Sequence, residues 1–306
     1  MKTTLVSVLE KLEIELYKAL QYTDQNSHEY ILRIKDEITF IILCSRVLEF
    51  YRLFNEENYF SRIYLLILLH IYYKTEDQIK KMGEKLKNEN IKDSYLEYLS
   101  ENPENFMKEL SGLLYSQTDD KSKIKSLLAI IYSYCILNKY FKANNLFKKC
   151  NSYDMIGVLK DENLKIFYNR TLAQLGLCAF RNGIYSDALL YLTPLCQLGT
   201  SKLKEYLSQS YNKDMEKSIF FDKEDKKRII PFIMTINIDE IECTFYISSM
   251  LIDLPNILLY KLGKNCGSIN LVFKKLMDNF EKQVLFYFNY LKFYRFLTAL
   301  LKQLKS

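Results

Sequence analysis

With 306 residues, 49% of them hydrophobic, the chain is long enough for one large domain or two ordinary ones around a sizeable core. Its 4 prolines and 8 glycines are few for this length. This scarcity argues against a β-sandwich or barrel, because those folds need turn residues at short intervals. The net charge of +6, from 43 basic and 37 acidic residues, is compatible with a position near RNA but does not require one.

The cysteines argue against a disulfide framework or a zinc cluster, since their number is odd and no two form a C-x-x-C pair. They stand at Cys44, Cys135, Cys150, Cys178, Cys196, Cys243 and Cys266. Several lie within apolar helical runs, so we expect buried, reduced thiols. The most apolar stretch, residues 63–73, is too short to span a bilayer, and no targeting segment is visible. We therefore expect a soluble protein.

In the N-terminal third, apolar stripes with helical spacing alternate with polar breaks. The first stripe predicts a helix that packs by one face, made of Leu5, Val8, Leu9, Leu12, Leu16 and Leu20. Ser27 follows a polar break and is expected to cap the next helix. Residues 63–73 are apolar nearly all round, which predicts a central, buried helix.

Residues 74–90 change character, because Lys, Glu and Asn replace most of the apolar residues. We interpret this segment as an exposed helix end followed by a loop. Its basic side chains are candidate contacts for a partner, with charge guiding the approach. The candidate residues are Lys80, Lys81, Lys85 and Lys87.

Two features further along the chain are also candidate contacts. The first is a charged linker with the basic residues Lys223, Lys226, Lys227 and Arg228. A solvated linker is the commoner meaning of such a run, and a contact with RNA or a partner is the alternative. The second is the helical, aromatic-rich segment 271–306. It is either buried on two sides or docks onto a partner, and we favour burial.

An internal similarity indicates stacked helical hairpins. Tetratricopeptide hairpins place a small alanine where two helices cross closely, and Ala143 and Ala188 fit such positions within similar surroundings. The two alanines are 45 residues apart (188 minus 143), more than the usual ~34-residue repeat. We therefore expect an extra helix near residues 163–167. Chance similarity between amphipathic helices is the alternative interpretation.

The sequence offers little material for a catalytic, metal or cofactor site. There are only two histidines: His28 is expected at the surface near a helix start, and His70 as a hydrogen-bonded core residue. Neither phosphate-binding glycine pattern occurs. The pair Asp119 and Asp120 resembles the metal-binding aspartates of helical terpenoid enzymes, but capping of the next helix is the stronger interpretation. We expect no enzyme activity, no metal and no cofactor.

Four stretches resemble the c subunit of eukaryotic translation initiation factor 3. They are residues 22–30, 62–74, 168–183 and 228–256. The third reads YNRTLAQLGLCAFRNG, and the fourth includes Pro231-Phe232 and Leu254-Pro255. The similarity covers roughly residues 5 to 275, and the third and fourth stretches are its most specific parts.

This resemblance implies a non-catalytic, cytoplasmic scaffold subunit. Its partners would be the other subunits of factor 3, especially the a subunit, the small ribosomal subunit with its RNA, and other initiation factors. No membrane, cofactor or small-molecule substrate is implied. The family's acidic N-terminal region and its C-terminal winged helix are expected to be missing from this chain.

The predicted fold is all-α, a tetratricopeptide-like helical-repeat solenoid associated with a PCI module. We divide it into an N-terminal helical region at residues 1–115 and a helical-repeat region at residues 120–306, which leads into a truncated PCI-type module. The main alternative function is a helical-repeat scaffold of another PCI-containing complex, of proteasome-lid or signalosome type. A helical terpenoid-synthase-like enzyme and an independent RNA-binding protein are less favoured.

Overall fold

A computed structural model describes residues 5–54, 59–88, 103–117, 120–149, 161–197, 199–209 and 230–262. Within these ranges the chain forms helices without any strand, which confirms the predicted all-α class. The α-helices are α1 Leu5–Tyr22, α2 His28–Leu53, α3 Phe60–Ile71, α4 Glu76–Asn88, α5 Pro103–Gln117, α6 Asp120–Ile136, α7 Tyr140–Lys149, α8 Glu162–Arg181, α9 Tyr185–Cys196, α10 Thr200–Tyr206 and α11 Ile238–Lys261. A short 3₁₀ helix, Phe232–Met234, precedes α11.

The first helix forms as predicted, but its packed face includes only part of the predicted stripe. Leu9 and Leu20 are buried and Leu16 packs against the core, whereas Leu5, Val8 and Leu12 are exposed. The packed face is rotated toward Val6, which is fully buried, because α2 and α3 both contact α1 on that side. Helical spacing alone does not determine this rotation, since it depends on where the neighbouring helices lie.

The start of α2 and the central position of α3 are confirmed. The Ser27 hydroxyl accepts a hydrogen bond from the backbone N–H of Tyr30 at 3.2 Å, which satisfies a donor of the first helical turn. His28 is exposed at the start of α2. Helix α3 is surrounded by α1, α2, α5 and α6, and Ile63, Ile67 and Ile71 along it have no solvent exposure.

The predicted loop within residues 74–90 is wrong for the part that the structure describes. Residues 76–88 form the regular helix α4, and Ile79 and Met82 are buried on its side facing α5. Two apolar positions at helical spacing are enough here because α5 supplies the opposing surface. Lys74, also assigned to the exposed segment, is buried and ion-paired with Glu37.

Two helical hairpins, α6–α7 and α8–α9, have matching turns. Asn138 and Gly183 adopt positive φ angles of 58° and 75°. After each, a backbone N–H returns to the preceding helix, from Lys139 to the Tyr134 carbonyl at 2.9 Å and from Ile184 to the Ala179 carbonyl at 3.0 Å. These are helix-ending hydrogen bonds that a left-handed residue permits. Ala143 and Ala188 are both fully buried. The tetratricopeptide-like repeat itself stays a prediction.

The expected extra helix near residues 163–167 is wrong. These residues form the first turns of α8, which continues without interruption to Arg181. Asp161 caps this helix by accepting a hydrogen bond from the backbone N–H of Asn163 at 3.1 Å. The additional residues between the two hairpins therefore lie largely in 150–160, outside the described residues.

Arg170 of α8 connects the N-terminal helices to the C-terminal half. Its guanidinium donates hydrogen bonds to the Tyr72 hydroxyl at 2.9 Å and to the Met234 carbonyl, and it lies 5.6 Å from the ring centre of Tyr132. The Tyr30 hydroxyl accepts a further bond from the Ile233 N–H at 3.0 Å. One apolar core also includes residues from both predicted regions. The boundary between 1–115 and 120–306 stays a prediction.

Within the described residues, no helix combines the length and the apolar character needed to cross a membrane.

The contact between α8 and α9 yields a stability prediction at Gly176. A Cβ atom at this position would lie 2.6 Å from Cγ and Cδ2 of Leu192. We therefore expect Gly176→Ala to lower the free energy of unfolding by about 1–2 kcal/mol, because overpacking outweighs the higher helix propensity of alanine. Urea denaturation of the purified chain measures this change.

Gly112 of α5 is the matched control, because nothing lies within 4 Å of a Cβ atom built there. We expect Gly112→Ala to leave stability unchanged or to raise it by up to about 1 kcal/mol. Equal effects of the two substitutions would contradict the close approach of α8 and α9.

Candidate interaction surface

The predicted lysines at residues 80–87 lie on helix α4, but they do not form a purely basic surface. Lys80 forms an ion pair with Glu76 at 2.7 Å, one turn earlier. Lys81 and Lys85 are exposed on the side of α4 opposite the buried Ile79, and the exposed Glu84 lies between them. Lys87 is part of the helix, and its side chain lies outside the described part of the structure. This surface therefore carries charges of both signs.

The other candidate contacts predicted from the sequence fall outside the described residues. These are the basic residues Lys223, Lys226, Lys227 and Arg228, together with the aromatic-rich segment 271–306. Asp119, expected to cap a helix, is also outside, although α6 does begin at Asp120. The predictions for these residues remain predictions.

A more coherent basic surface lies on α7. Five exposed residues form its outer side, here called the α7 face: Phe141, Lys142, Asn145, Lys148 and Lys149. The helical period places Phe141, Asn145 and Lys148 in one row, with Lys142 and Lys149 in the next. Phe141 is 70% exposed, an unusual position for a large aromatic ring. No acidic residue lies within α7.

The opposite side of α7 is fixed to α9 by a chain of hydrogen bonds. Tyr191 donates from its hydroxyl to Oδ1 of Asn144 at 2.7 Å, and Nδ2 of Asn144 donates to the Tyr140 hydroxyl at 2.8 Å. Tyr140 in turn donates to the Asp187 carboxylate. Burial, followed by the bond to Asp187, raises the pKa of Tyr140, so this hydroxyl keeps its proton. The α7 face is therefore held on a rigid base.

Some of the lysines around the α7 face are paired with an acidic side chain and others are not. Glu104 of α5 accepts hydrogen bonds from both Lys139 and Lys142, and these two bonds lower its pKa. Lys148 and Lys149 take part in no ion pair among the described residues. They stand in the last turn of the helix, where the macrodipole favours positive charge. The two lysines and the exposed Phe141 are thus available to a partner.

The α7 face could have been predicted from the sequence, but from the position of Phe141 relative to Ala143 and not from a cluster of lysines. The predicted inward position of Ala143 is confirmed by its complete burial. Phe141 precedes Ala143 by two residues, or about 200° around a helix, so an inward Ala143 requires an outward Phe141. An outward phenylalanine with one lysine next to it and two more lysines two turns later indicates a contact surface.

A buried polar cluster joins α2 to the end of α3. Nδ1 of His70 lies 3.0 Å from Oε1 of Glu37, and Nζ of Lys74 lies 2.6 Å from Oε2. Tyr73 donates its hydroxyl proton to the same carboxylate. This confirms His70 as a hydrogen-bonded core residue. Burial alone would raise the pKa of Glu37, but the hydrogen bond with His70 and the charge of Lys74 lower it.

No group of three or more His, Cys, Asp or Glu side chains in the described part of the chain is arranged to hold a metal ion. The cysteines described are free, and four of them are buried, in agreement with the expectation of buried thiols within apolar helical runs: Cys44, Cys135, Cys178 and Cys196. Cys243 is exposed.

The Glu37 cluster yields a prediction for stability and its pH dependence. Glu37→Gln leaves the ammonium group of Lys74 buried without a countercharge, so we expect a loss of about 3 kcal/mol in unfolding free energy at pH 7. Because the folded pKa of Glu37 lies below its ordinary value of 4.5, its stabilisation is present above that pH and is lost on further acidification. The difference in unfolding free energy between wild type and variant should therefore shrink as the pH falls below 4.5.

Glu29→Gln is the control on the same helix. Glu29 forms an exposed ion pair with Arg33 at 3.3 Å, so its loss should cost less than about 0.5 kcal/mol. Urea denaturation of both variants at pH 7 and in acid distinguishes the two sites. Equal losses at pH 7 would show that the buried cluster does not stabilise the fold.

Comparison with known proteins identifies the family. Residues 1–261 match the family described as "Eukaryotic translation initiation factor 3 subunit 8 N-terminus". The C subunit of eukaryotic translation initiation factor 3 from Drosophila melanogaster is 31% identical over 285 residues, covering 92% of this chain and 30% of the relative. The Drosophila willistoni protein of the same name is 30% identical over 285 residues, with the same coverage.

The match extends over nearly all of this chain but over only a part of each relative. The chain spans about 30% of the length of the curated relatives that it matches. Since the family match covers residues 1–261 and the identity reaches 31%, this chain belongs to the family of the C subunit of eukaryotic translation initiation factor 3.

Proposed function

We propose that the chain is a structural subunit of the translation initiation factor 3 complex and acts in assembly of the pre-initiation complex on the small ribosomal subunit. Membership of the C-subunit family across residues 1–261 is the observation that carries this proposal. The role is non-catalytic and cytoplasmic. A scaffold of a proteasome-lid or signalosome type is not favoured, because the family match is to an initiation factor.

The architecture supports a scaffold role. Buried polar groups such as Glu37 and Arg170 are used to join helices to one another. The outer sides of the helices remain available, and helical arrays commonly bind their partners through such surfaces. The other subunits of factor 3, the a subunit above all, and other initiation factors are the protein partners in this proposal.

Within this role, the α7 face contacts RNA of the small ribosomal subunit. Lys148 and Lys149 would neutralise phosphates, which releases counterions and makes binding sensitive to salt. Phe141 offers a ring on which an unpaired base can stack, as aromatic side chains do in proteins that bind single strands. Lys80, Lys81 and Lys85 on α4 form a secondary contact, weaker because Glu76 and Glu84 lie beside them. Lys87, Lys223, Lys226, Lys227 and Arg228 remain candidates.

Affinity purification of the tagged chain from its source cell tests both the role as a subunit of factor 3 and the RNA contact at the α7 face. The wild-type chain should recover other factor 3 subunits together with small-subunit ribosomal RNA. The double variant Lys148→Glu and Lys149→Glu should retain the protein subunits and lose most of the RNA. For direct binding to small subunits in vitro, the slope of log K against log salt should fall by about 1–2, since two phosphate contacts are lost.

The matched control is the double variant Lys81→Glu and Lys85→Glu on α4. We expect it to retain more RNA than the α7 variant, because its surface already carries acidic residues. Recovery of proteasome-lid or signalosome proteins in place of factor 3 subunits would overturn the proposed role. Full RNA recovery by the α7 variant would leave the subunit role intact and remove α7 as the contact.

A further inference from the structure

Helix α2 exposes a stripe of residues on the side that faces away from the core. The stripe, here called the α2 seam, consists of Leu32, Asp36, Thr39, Leu43, Arg46, Phe50 and Leu53, all of them exposed. Its four apolar side chains are 40% to 82% exposed. The core-facing residues, such as Ile41, Cys44 and Leu48, lie on the opposite side of the helix. Among the residues that the structure describes, α2 therefore carries a line of exposed apolar side chains along one side.

The spacing of the α2 seam is that of a two-helix coiled coil. Successive members are separated alternately by four and three residues, the pattern that keeps one line of side chains facing a partner helix. An ideal helix drifts only about 20° per seven residues from this pattern, so the residues from Leu32 to Leu53 stay on one side. The seam thus fits a second helix better than it fits a flat surface.

The charges in the α2 seam are self-complementary when two copies run antiparallel. A twofold axis midway between Thr39 and Leu43 places Asp36 opposite Arg46 of the partner subunit. The same axis places Leu32 opposite Phe50 of the partner subunit and Thr39 opposite Leu43 of the partner subunit. Beside the seam, Lys35 would meet Glu49 of the partner subunit. A parallel arrangement would instead oppose Asp36 to itself and Arg46 to itself, so charge selects the antiparallel one.

The ion pair that Asp36 makes within its own chain does not oppose this pairing strongly. Its distance to Arg33 is 3.5 Å, and both side chains are about half exposed. Such pairs contribute little to stability, so the Asp36 carboxylate can turn to a new partner at small cost. The part of the seam from Leu32 to Phe50 is about 27 Å long at 1.5 Å per residue. An interface of this length is at the small end of specific interfaces, below about 1,200 Å².

We propose that this chain forms an isologous homodimer through the α2 seam, with the two α2 helices antiparallel and Asp36 paired with Arg46 of the partner subunit. For an interface this small we expect weak association, with a dissociation constant on the order of micromolar. The proposal rests on α2 alone and is independent of the α7 face and of the role in factor 3.

Sedimentation equilibrium of the purified chain tests the dimer. The apparent mass should rise with concentration from 36.5 kDa toward twice that value.

Either Asp36→Arg or Arg46→Asp alone places two like charges opposite each other at the 36–46 contact. Because the twofold axis repeats this contact, each dimer contains the repulsion twice, and each substitution should weaken association at least about tenfold. The double exchange of Asp36→Arg with Arg46→Asp restores opposite charges and should recover most of the wild-type association. Leu43→Glu should abolish it.

Leu190→Glu on α9 is the control for a general effect of exposed apolar residues, because Leu190 is 64% exposed and lies far along the chain from α2. It should associate like wild type. Circular dichroism melting checks that each variant is folded. A wild-type chain that stays monomeric up to about 200 μM, well above a micromolar dissociation constant, overturns the proposal. A double exchange no better than the single substitutions overturns it as well.

Discussion

The packing of the described residues depends on how a buried guanidinium is satisfied. Arg170 is only 3% exposed, and none of the ion pairs among the described residues involves it. Its positive charge is supported by the Tyr72 hydroxyl, the Met234 carbonyl and the ring of Tyr132. A buried cation is costly unless such groups surround it, so the segments that carry them must keep their positions. The end of α3, helix α6 and the turn before α11 are thereby fixed relative to α8.

A fixed interior explains how this fold can present surfaces on the outer sides of its helices. The Glu37 cluster holds α2 to the end of α3, and the chain of hydrogen bonds from Tyr191 to Asp187 holds α7 to α9. Burying these polar groups costs free energy unless they are hydrogen-bonded, and the bonds that they form hold neighbouring helices in position. The α7 face and the α2 seam lie on the outer sides of the helices so positioned, which suits a subunit of a larger assembly.

Local features of the fold can be predicted from the sequence, and features set by neighbouring helices cannot. Ser27 as a cap, α3 as a buried helix and Ala143 as an inward residue each follow from a few adjacent residues. The apolar stripe of α1 predicts only part of the packed face, because its spacing does not encode the side on which α2 and α3 lie. The charged composition of α4 predicts an exposed helix end and a loop, because it hides the helical spacing of Ile79 and Met82, which are buried among the described side chains.

The candidate site is less predictable than the fold. The lysines of α4 are noticed because they cluster in the sequence. Lys148 and Lys149 stand several residues after Phe141, and only the helical period brings them to the same side of α7. The pairing of Glu37 with Lys74 spans 37 positions, so local composition predicts Lys74 at the surface. Arg170 belongs to a stretch that carries the family resemblance, yet its contacts with Tyr72 and Met234 come from distant segments.

Hydrogen–deuterium exchange on the variant Arg170→Met tests most directly whether this residue holds the helices together. We expect faster exchange in three places at once, the end of α3, the C-terminal half of α6 around Tyr132, and residues 232–241, because all three lose the same buried partner. Lys165→Met, an exposed substitution on the same helix, should change none of them. Exchange that is unaltered in Arg170→Met, or altered only within α8, would contradict the central role of the guanidinium.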